Sequence, residues 1–222
     1  MNKSSILWPC DLSDSVKNAL FDAAQIIHLE PDGYLLIGRD ANNGLCCITK
    51  GLVVLHILDM RKPTPSLVFK TGDWFGGSLI DDTSFRFQVK VSCIDHAEIV
   101  CIPEPVIKAM AAKHPEIYKL LFMVTRARAN ENTEMLFAAT GLTLQQKVAF
   151  FLLSISKKFP HVPGAKPRIS ISQNMLAQAL GLSRSKLNKQ LQLLEHEGII
   201  SVERMNIHIL DIPLLETMIA RQ

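Results

Sequence analysis

Apolar residues recur at helical intervals near the start of the chain and again beyond residue 105, with short turn-bounded runs between. Ser13 precedes Val16, Ala19, Leu20, Ala23, Ala24 and Ile27, which lie on one face of a helix that Ser13 is placed to cap. From His28 to Ile102 the apolar runs shorten to residues 34–37, 45–48, 52–58, 67–69, 88–93 and 97–102. Asp32-Gly33, Lys50-Gly51, Pro63-Thr64-Pro65 and Gly72-Asp73 separate them. Short strands with turn chemistry between them predict an antiparallel roll or barrel.

Pro103 and Pro105 end that pattern, and Pro115 opens the longest helical stretch, residues 115–139. Its stripe is Ile117, Leu120, Leu121, Val124, Ala127, Met135 and Ala138, interrupted at Glu131, Asn132, Thr133 and Glu134. About 25 residues at 1.5 Å each make a helix about 37 Å long, more than one small domain needs. Such a helix joins two domains and pairs with its copy in a dimer; the alternative is that it packs only on its own roll.

In the last third, residues 145–156 carry the apolar run Val148-Ala149-Phe150-Phe151-Leu152-Leu153, followed by a loop over 159–168. Two short helices follow, one from Ser172 to Gly181 and one from Ser183 to Gly198, with Ser as cap and Gly as stop in each. Residues 199–202 and 207–210 then read as a two-stranded wing. Ala177 is small where two helices cross, Gly181 permits a left-handed turn, and Leu176, Leu180, Leu182, Leu187 and Leu191 face inward, which is the grammar of a helix-turn-helix. With that face inward, Ser183 caps the second helix, and Arg184, Ser185, Lys186, Asn188 and Lys189 are left on its outer face near the N-terminus. Arg, Lys, Asn and Ser are the residue types that read base edges and phosphates in a major groove.

Charge sharpens this picture. Residues 1–140 carry 14 Lys and Arg against 16 Asp and Glu, whereas residues 141–222 carry 10 against 5. The basic excess belongs to the last third, as expected for a polyanion partner there. Five cysteines without C-x-x-C spacing read as reduced core thiols, and adjacent Cys46 and Cys47 point to opposite faces of a strand, either being a candidate redox switch. His28, His56, His96 and His114 show no ligand spacing, so neither a metal nor a cofactor is expected. No apolar run reaches the roughly 18 residues of a membrane helix. Ser4-Ser5-Ile6-Leu7-Trp8 is too short for a signal-peptide core, which predicts a cytoplasmic protein.

On these residues the whole chain resembles the Crp/Fnr family of bacterial transcription regulators. The strongest stretch is 169–209, with Leu182-Ser183-Arg184, Leu193-Leu194-Glu195 and Gly198-Ile199-Ile200, and the roll is matched by Ile48-Thr49-Lys50-Gly51 and Thr71-Gly72-Asp73-Trp74-Phe75-Gly76. The resemblance implies an α+β chain: a jelly-roll-like sensor domain over 1–114, a dimerisation helix over 115–140 and a winged helix-turn-helix over 141–222. It implies a homodimer on a two-fold related operator in duplex DNA, working with RNA polymerase and answering to a small-molecule effector; no enzyme is expected, because the sequence offers no nucleophile–base constellation, no phosphate-cradling Gly-rich loop before a helix and no His/Cys/Asp cluster at metal spacing. The family's recognition helix commonly uses Arg, Glu and Arg; here those positions hold Arg184, Ser185 and Lys189, so a different operator is expected. Gln190 stands where the family has an apolar residue, which predicts a shifted or looser helix.

Cyclic-nucleotide-binding members carry Gly-Glu after Phe-Gly, then an Arg before a small residue. Here Phe75-Gly76 is followed by Gly77, and the Arg position falls on Phe85 or Arg86, with bulky Phe87 next. The Glu and Arg contacts are worth about 1.5–3 kcal/mol each, so the cassette reads as degenerate. Asn132 and Thr133 take the positions of the helix residues that touch the base. This leaves an apolar roll, with Trp74 and these phenylalanines, for a hydrophobic effector or none. The alternatives are a cyclic-nucleotide-responsive regulator of the same fold and a winged-helix protein-interaction module without a DNA target.

Overall fold

The computed structural model describes residues 6–31, 33–37, 44–58, 67–76, 88–159 and 164–220. The chain divides into two compact units, Met1–Asp59 with Phe69–Asn132, and Met60–Val68 with Thr133–Gln222. The expected turns at Asp32 and at Pro63-Thr64-Pro65 involve residues outside the described set.

Helix α1 (Asp14–Asp22) buries Val16 and Leu20. Ser13 holds the N-cap position but makes no side-chain cap. Its Oγ donates instead to Glu116 Oε1 at 2.7 Å, and its backbone N–H donates to Oε2 at 3.1 Å. The helix ends at Asp22, and Ile27 lies not on it but on strand β1 (Gln25–Leu29). Strands β2 (Tyr34–Ile37), β3 (Gly44–Lys50), β4 (Leu52–Ile57), β5 (Leu67–Lys70), β6 (Trp74–Gly76), β7 (Val89–Cys93) and β8 (Ala97–Pro103) follow. They form two four-stranded sheets, ordered β1-β8-β3-β6 and β2-β7-β4-β5.

Burial explains the two kinds of strand pattern. In β7 buried Val89, Val91 and Cys93 alternate with half-buried Lys90 and Ser92, as in a strand with one covered face. β3 is buried from Gly44 to Thr49 because both of its faces are covered. Leu45 and Cys47 pack with Trp74, Val100 and Ile102 against α1, helix α2 (Glu104–Ala111) and the first turns of α3 (Glu116–Gly141). Cys46 and Ile48, paired with Cys101 and Ile99 of β8, face the other way.

Helix α3 has 26 residues, about 39 Å of axial rise. Its expected stripe divides: Ile117, Leu120, Leu121 and Val124 join the roll's own core, whereas Ala127 is exposed. A second line, Tyr118, Phe122, Thr125, Ala129, Asn132 and Leu136, is exposed throughout, with Phe122 at 62% and Leu136 at 64%. These residues alternate by four and three, the heptad spacing of a coiled-coil seam.

The second unit holds the end of α3 and then α4 (Leu144–Ser156), β9 (Arg168–Ser170), α5 (Gln173–Ala179), α6 (Arg184–His196), β10 (Ile200–Val202), β11 (Asn206–Ile209) and α7 (Ile212–Ala220). A Thr143–Gln146 capping box starts α4, which buries Val148, Ala149, Leu152 and Ile155. The wing has a third strand that the sequence pattern did not disclose, since β9 pairs with β11 in the order β10-β11-β9. Helix α7 was likewise unexpected; it packs on α4 around buried Leu215.

Candidate nucleic-acid interface

Local chemistry sets both helices of the helix-turn-helix. Ser172 Oγ accepts the Met175 N–H at 3.2 Å to begin α5. At its end Gly181 adopts φ +65°, and Leu182 N–H donates to Ala177 O at 2.8 Å while Gly181 N–H donates to Gln178 O at 3.0 Å. This pair of bonds is a Schellman turn, and it is the glycine's left-handed conformation that permits it. Ser183 Oγ then accepts the Lys186 N–H at 3.3 Å to begin α6. Gly198, φ +70°, closes α6 with the same pair of bonds.

Leu187, Gln190, Leu191 and Leu194 make the buried face of α6, over buried Leu176, Ala177 and Ala179 of α5. The opposite face is exposed at Ser183, Arg184, Ser185, Lys186 and Lys189. Two cations and a serine hydroxyl therefore crowd the first turn, where the helix dipole and free N–H groups add positive potential. Such a face suits phosphates and the acceptor atoms of guanine.

Asn188 departs from expectation. It is half-buried, and its Oδ1 is fully covered with no hydrogen-bond partner. It lines a recess of about 170 Å³ with Gln173, Leu191, Gln192, Glu195 and Val202, to the side of the exposed face. Gln190 is 8% exposed inside a continuous α6, so the polar residue is absorbed without breaking the helix. The wing brings Arg168, whose Nε donates to Asn206 Oδ1 at 2.8 Å, and an exposed Arg204 at its tip. Arg168 was not legible as part of a site, because only the β9 pairing makes it part of the wing.

Four of the candidate effector residues are described, two on β6 and two on α3. Phe75 is buried against Phe69, ring centroids 5.6 Å apart, and Gly76 is exposed at the end of β6 with φ +86°. Asn132 and Thr133 are exposed on α3. Gly77, Phe85, Arg86 and Phe87 lie outside the described residues. A residue the sequence reading passed over sits beside Phe69: Arg128 lays its guanidinium 4.1 Å above that ring and meets Glu131 at 2.6 Å. Its side chain is 18% exposed, its Nε is buried without a partner, and burial pulls its pKa below the usual guanidinium value. The signal was its place four residues after Val124 on the buried line. Among the described residues no three His, Cys, Asp or Glu side chains gather as metal ligands, and no helix is long and apolar enough to cross a membrane.

Comparison with known proteins agrees with this geometry. Residues 146–218 match the Crp-like helix-turn-helix domain. The chain is 26% identical over 136 residues to the nitrogen fixation regulation protein FixK of Azorhizobium caulinodans, covering 59% of this chain and 52% of that protein. It thus spans about half the length of that relative, and the same holds for the transcriptional activator Anr of Pseudomonas aeruginosa, matched over 52% of its length at 20% identity. Among solved structures, FixK2 from Bradyrhizobium japonicum superposes with a TM-score of 0.74 at 16% identity, over 90% of this chain and 98% of that one. A Crp/Fnr-family transcriptional regulator from Thermus thermophilus gives a TM-score of 0.70 at 20% identity, over 89% and 99%. The chain thus carries a Crp-like helix-turn-helix domain over residues 146–218, and its fold is that of the solved Crp/Fnr-type regulators to which it is similar.

Proposed function

We propose that this protein is a non-enzymatic, sequence-specific DNA-binding transcription regulator that works in the cytoplasm as a homodimer on a two-fold related operator. The observation that carries the reading is the exposed, capped first turn of α6, with Arg184, Ser185 and Lys186 on a domain matched to the Crp-like helix-turn-helix. In this reading residues 141–222 bind DNA, residues 115–140 pair with the second copy, and residues 1–114 form the sensor. Arg184 reads a guanine edge, Ser185 adds a weaker base contact, and Lys186 and Lys189 neutralise phosphates. Ser183 positions the helix. Asn188, half-buried, stabilises the interior side of α6 and is withdrawn from the reading set.

The exposed heptad line of α3 supports the dimer. Tyr118, Phe122 and Leu136 present large apolar surface in register, and Asn132 is the kind of polar seam residue that fixes alignment at some cost in stability. On α3, Arg128 retains bonding capacity at its Nε and, over the Phe69 ring that packs on Phe75, is the group positioned to meet an effector. RNA polymerase is the partner through which a bound dimer would act. Selection of duplexes from a random library tests the reading: it should enrich a palindromic consensus with half-sites about one helical turn, 34–36 Å, apart. Recovery of no consensus would refute it.

A further inference from the structure

Cys46 of β3 and Cys101 of β8 are direct register partners across the antiparallel ladder. Their Sγ atoms lie 2.8 Å apart, with the Cys46 thiol donating to the Cys101 sulfur. The pleat turns both away from the helix-packed side of the sheet, where Cys47 sits, and continues their row into Phe75 of β6. Gly44 makes the room: a Cβ there would come within 2.8 Å of Cys101 Sγ and 2.5 Å of the Ile102 carbonyl oxygen. The strand pairing and a glycine therefore hold two free thiols in contact.

We propose that Cys46 and Cys101 are a reversible dithiol–disulfide couple inside the roll, closed by a hydroperoxide and reopened by a small dithiol. The hydrogen bond divides the roles. As donor, Cys46 keeps its proton and its pKa rises, while Cys101, as acceptor, is pulled down toward the thiolate. The other cysteines are held as thiols by burial, Cys47 up to about 12 and Cys10 and Cys93 also upward.

In its thiolate form, with the proton given up to solvent, Cys101 attacks one oxygen of hydrogen peroxide. The O–O bond breaks, and the departing hydroxide takes the Cys46 proton to leave as water. Cys46 then attacks the sulfur of the Cys101 sulfenic acid, and the S–O bond breaks as the S–S bond forms. The second hydroxide takes up the proton first released and leaves as water. Two thiols lose two electrons and one peroxide gains them.

The test treats the reduced full chain, folded, with hydrogen peroxide, then unfolds it in acid and alkylates the remaining thiols for mass spectrometry. Alkylated thiols should fall from five to three per chain, with a Cys46–Cys101 linked peptide in the non-reduced digest. Dithiothreitol should restore all five, and Cys101→Ser should keep its remaining four thiols alkylatable after peroxide. Retention of all five thiols, a link through Cys10, Cys47 or Cys93, or oxygen added to Cys46 or Cys101 without a link would overturn the proposal.

Discussion

Arg184 and Lys186 stand two positions apart on the exposed first turn of α6 and should carry different parts of the DNA affinity. Arg184→Ala is expected to cost about 1–3 kcal/mol on the best operator and to flatten preference at one base pair per half-site. Lys186→Ala should weaken all duplexes alike and reduce the salt slope by about one per site. Titrations of both variants on operator and random DNA separate these outcomes; equal losses on both duplexes for Arg184→Ala would make it a phosphate contact. His56 of β4 offers a pH test in the other unit. Its Nε2 is 3.2 Å from Ser92 Oγ, and burial, then Lys90 directly opposite, hold its pKa below the ordinary 6.5. The unfolded chain binds this proton more readily, so the stabilisation is complete above pH 6.5 and falls as pH drops from there toward the folded pKa. Urea midpoints from pH 7.5 to 5 should therefore decline less steeply for His56→Gln than for the parent. At this scale the sequence was informative where chemistry is local. Ser183 and Gly181 act within four residues of themselves, whereas Asn188 shared its helical spacing with exposed neighbours, and only the packing of α6 beside Gln173 and Val202 covers it.

Helix α3 shows how an element can carry two faces that a single periodicity does not resolve. Ile117, Leu120, Leu121 and Val124 were expected to serve the dimer but fill the roll's core, and the heptad line through Phe122 and Leu136 was hidden among Thr125, Ala129 and Asn132. Phe122→Asp with Leu136→Asp should convert the protein to a monomer at micromolar concentration, read by light scattering. Losing burial of one large apolar side chain from each copy removes roughly 3 kcal/mol or more per position. An unchanged dimer mass would place the pairing surface elsewhere. β1 was missed for a related reason: Ile27 continues the helical interval from Ala23 and Ala24, and Gln25–Leu29 is extended only because it pairs with Ala97–Cys101, far along the chain. β9 has the same origin, through its pairing with β11. Strands β2, β4 and β7 were legible because turn residues or clean alternation bound them.

Across the whole molecule, the uneven charge and the helix-turn-helix point the same way. The basic excess of residues 141–222 has an exposed outlet at Arg184, Lys186 and Lys189, with Arg204 at the wing tip, while the acidic balance stays with residues 1–140. The order of roll, long helix and winged unit was legible from the succession of strand-like and helical periods, but Arg128 was not, since it stands out only once its buried Nε and the Phe69 ring are seen together. The most direct measurement is the affinity of the protein for a selected palindromic operator and for its scrambled counterpart, by fluorescence anisotropy across about 50–200 mM salt. The operator should bind at least about a thousandfold more tightly, both duplexes should show a log–log salt slope near −0.9 per neutralised phosphate, and five base pairs inserted between half-sites should abolish the preference. Equal affinity for operator and scrambled duplex, or binding indifferent to salt and to the insertion, would contradict sequence reading by a dimer.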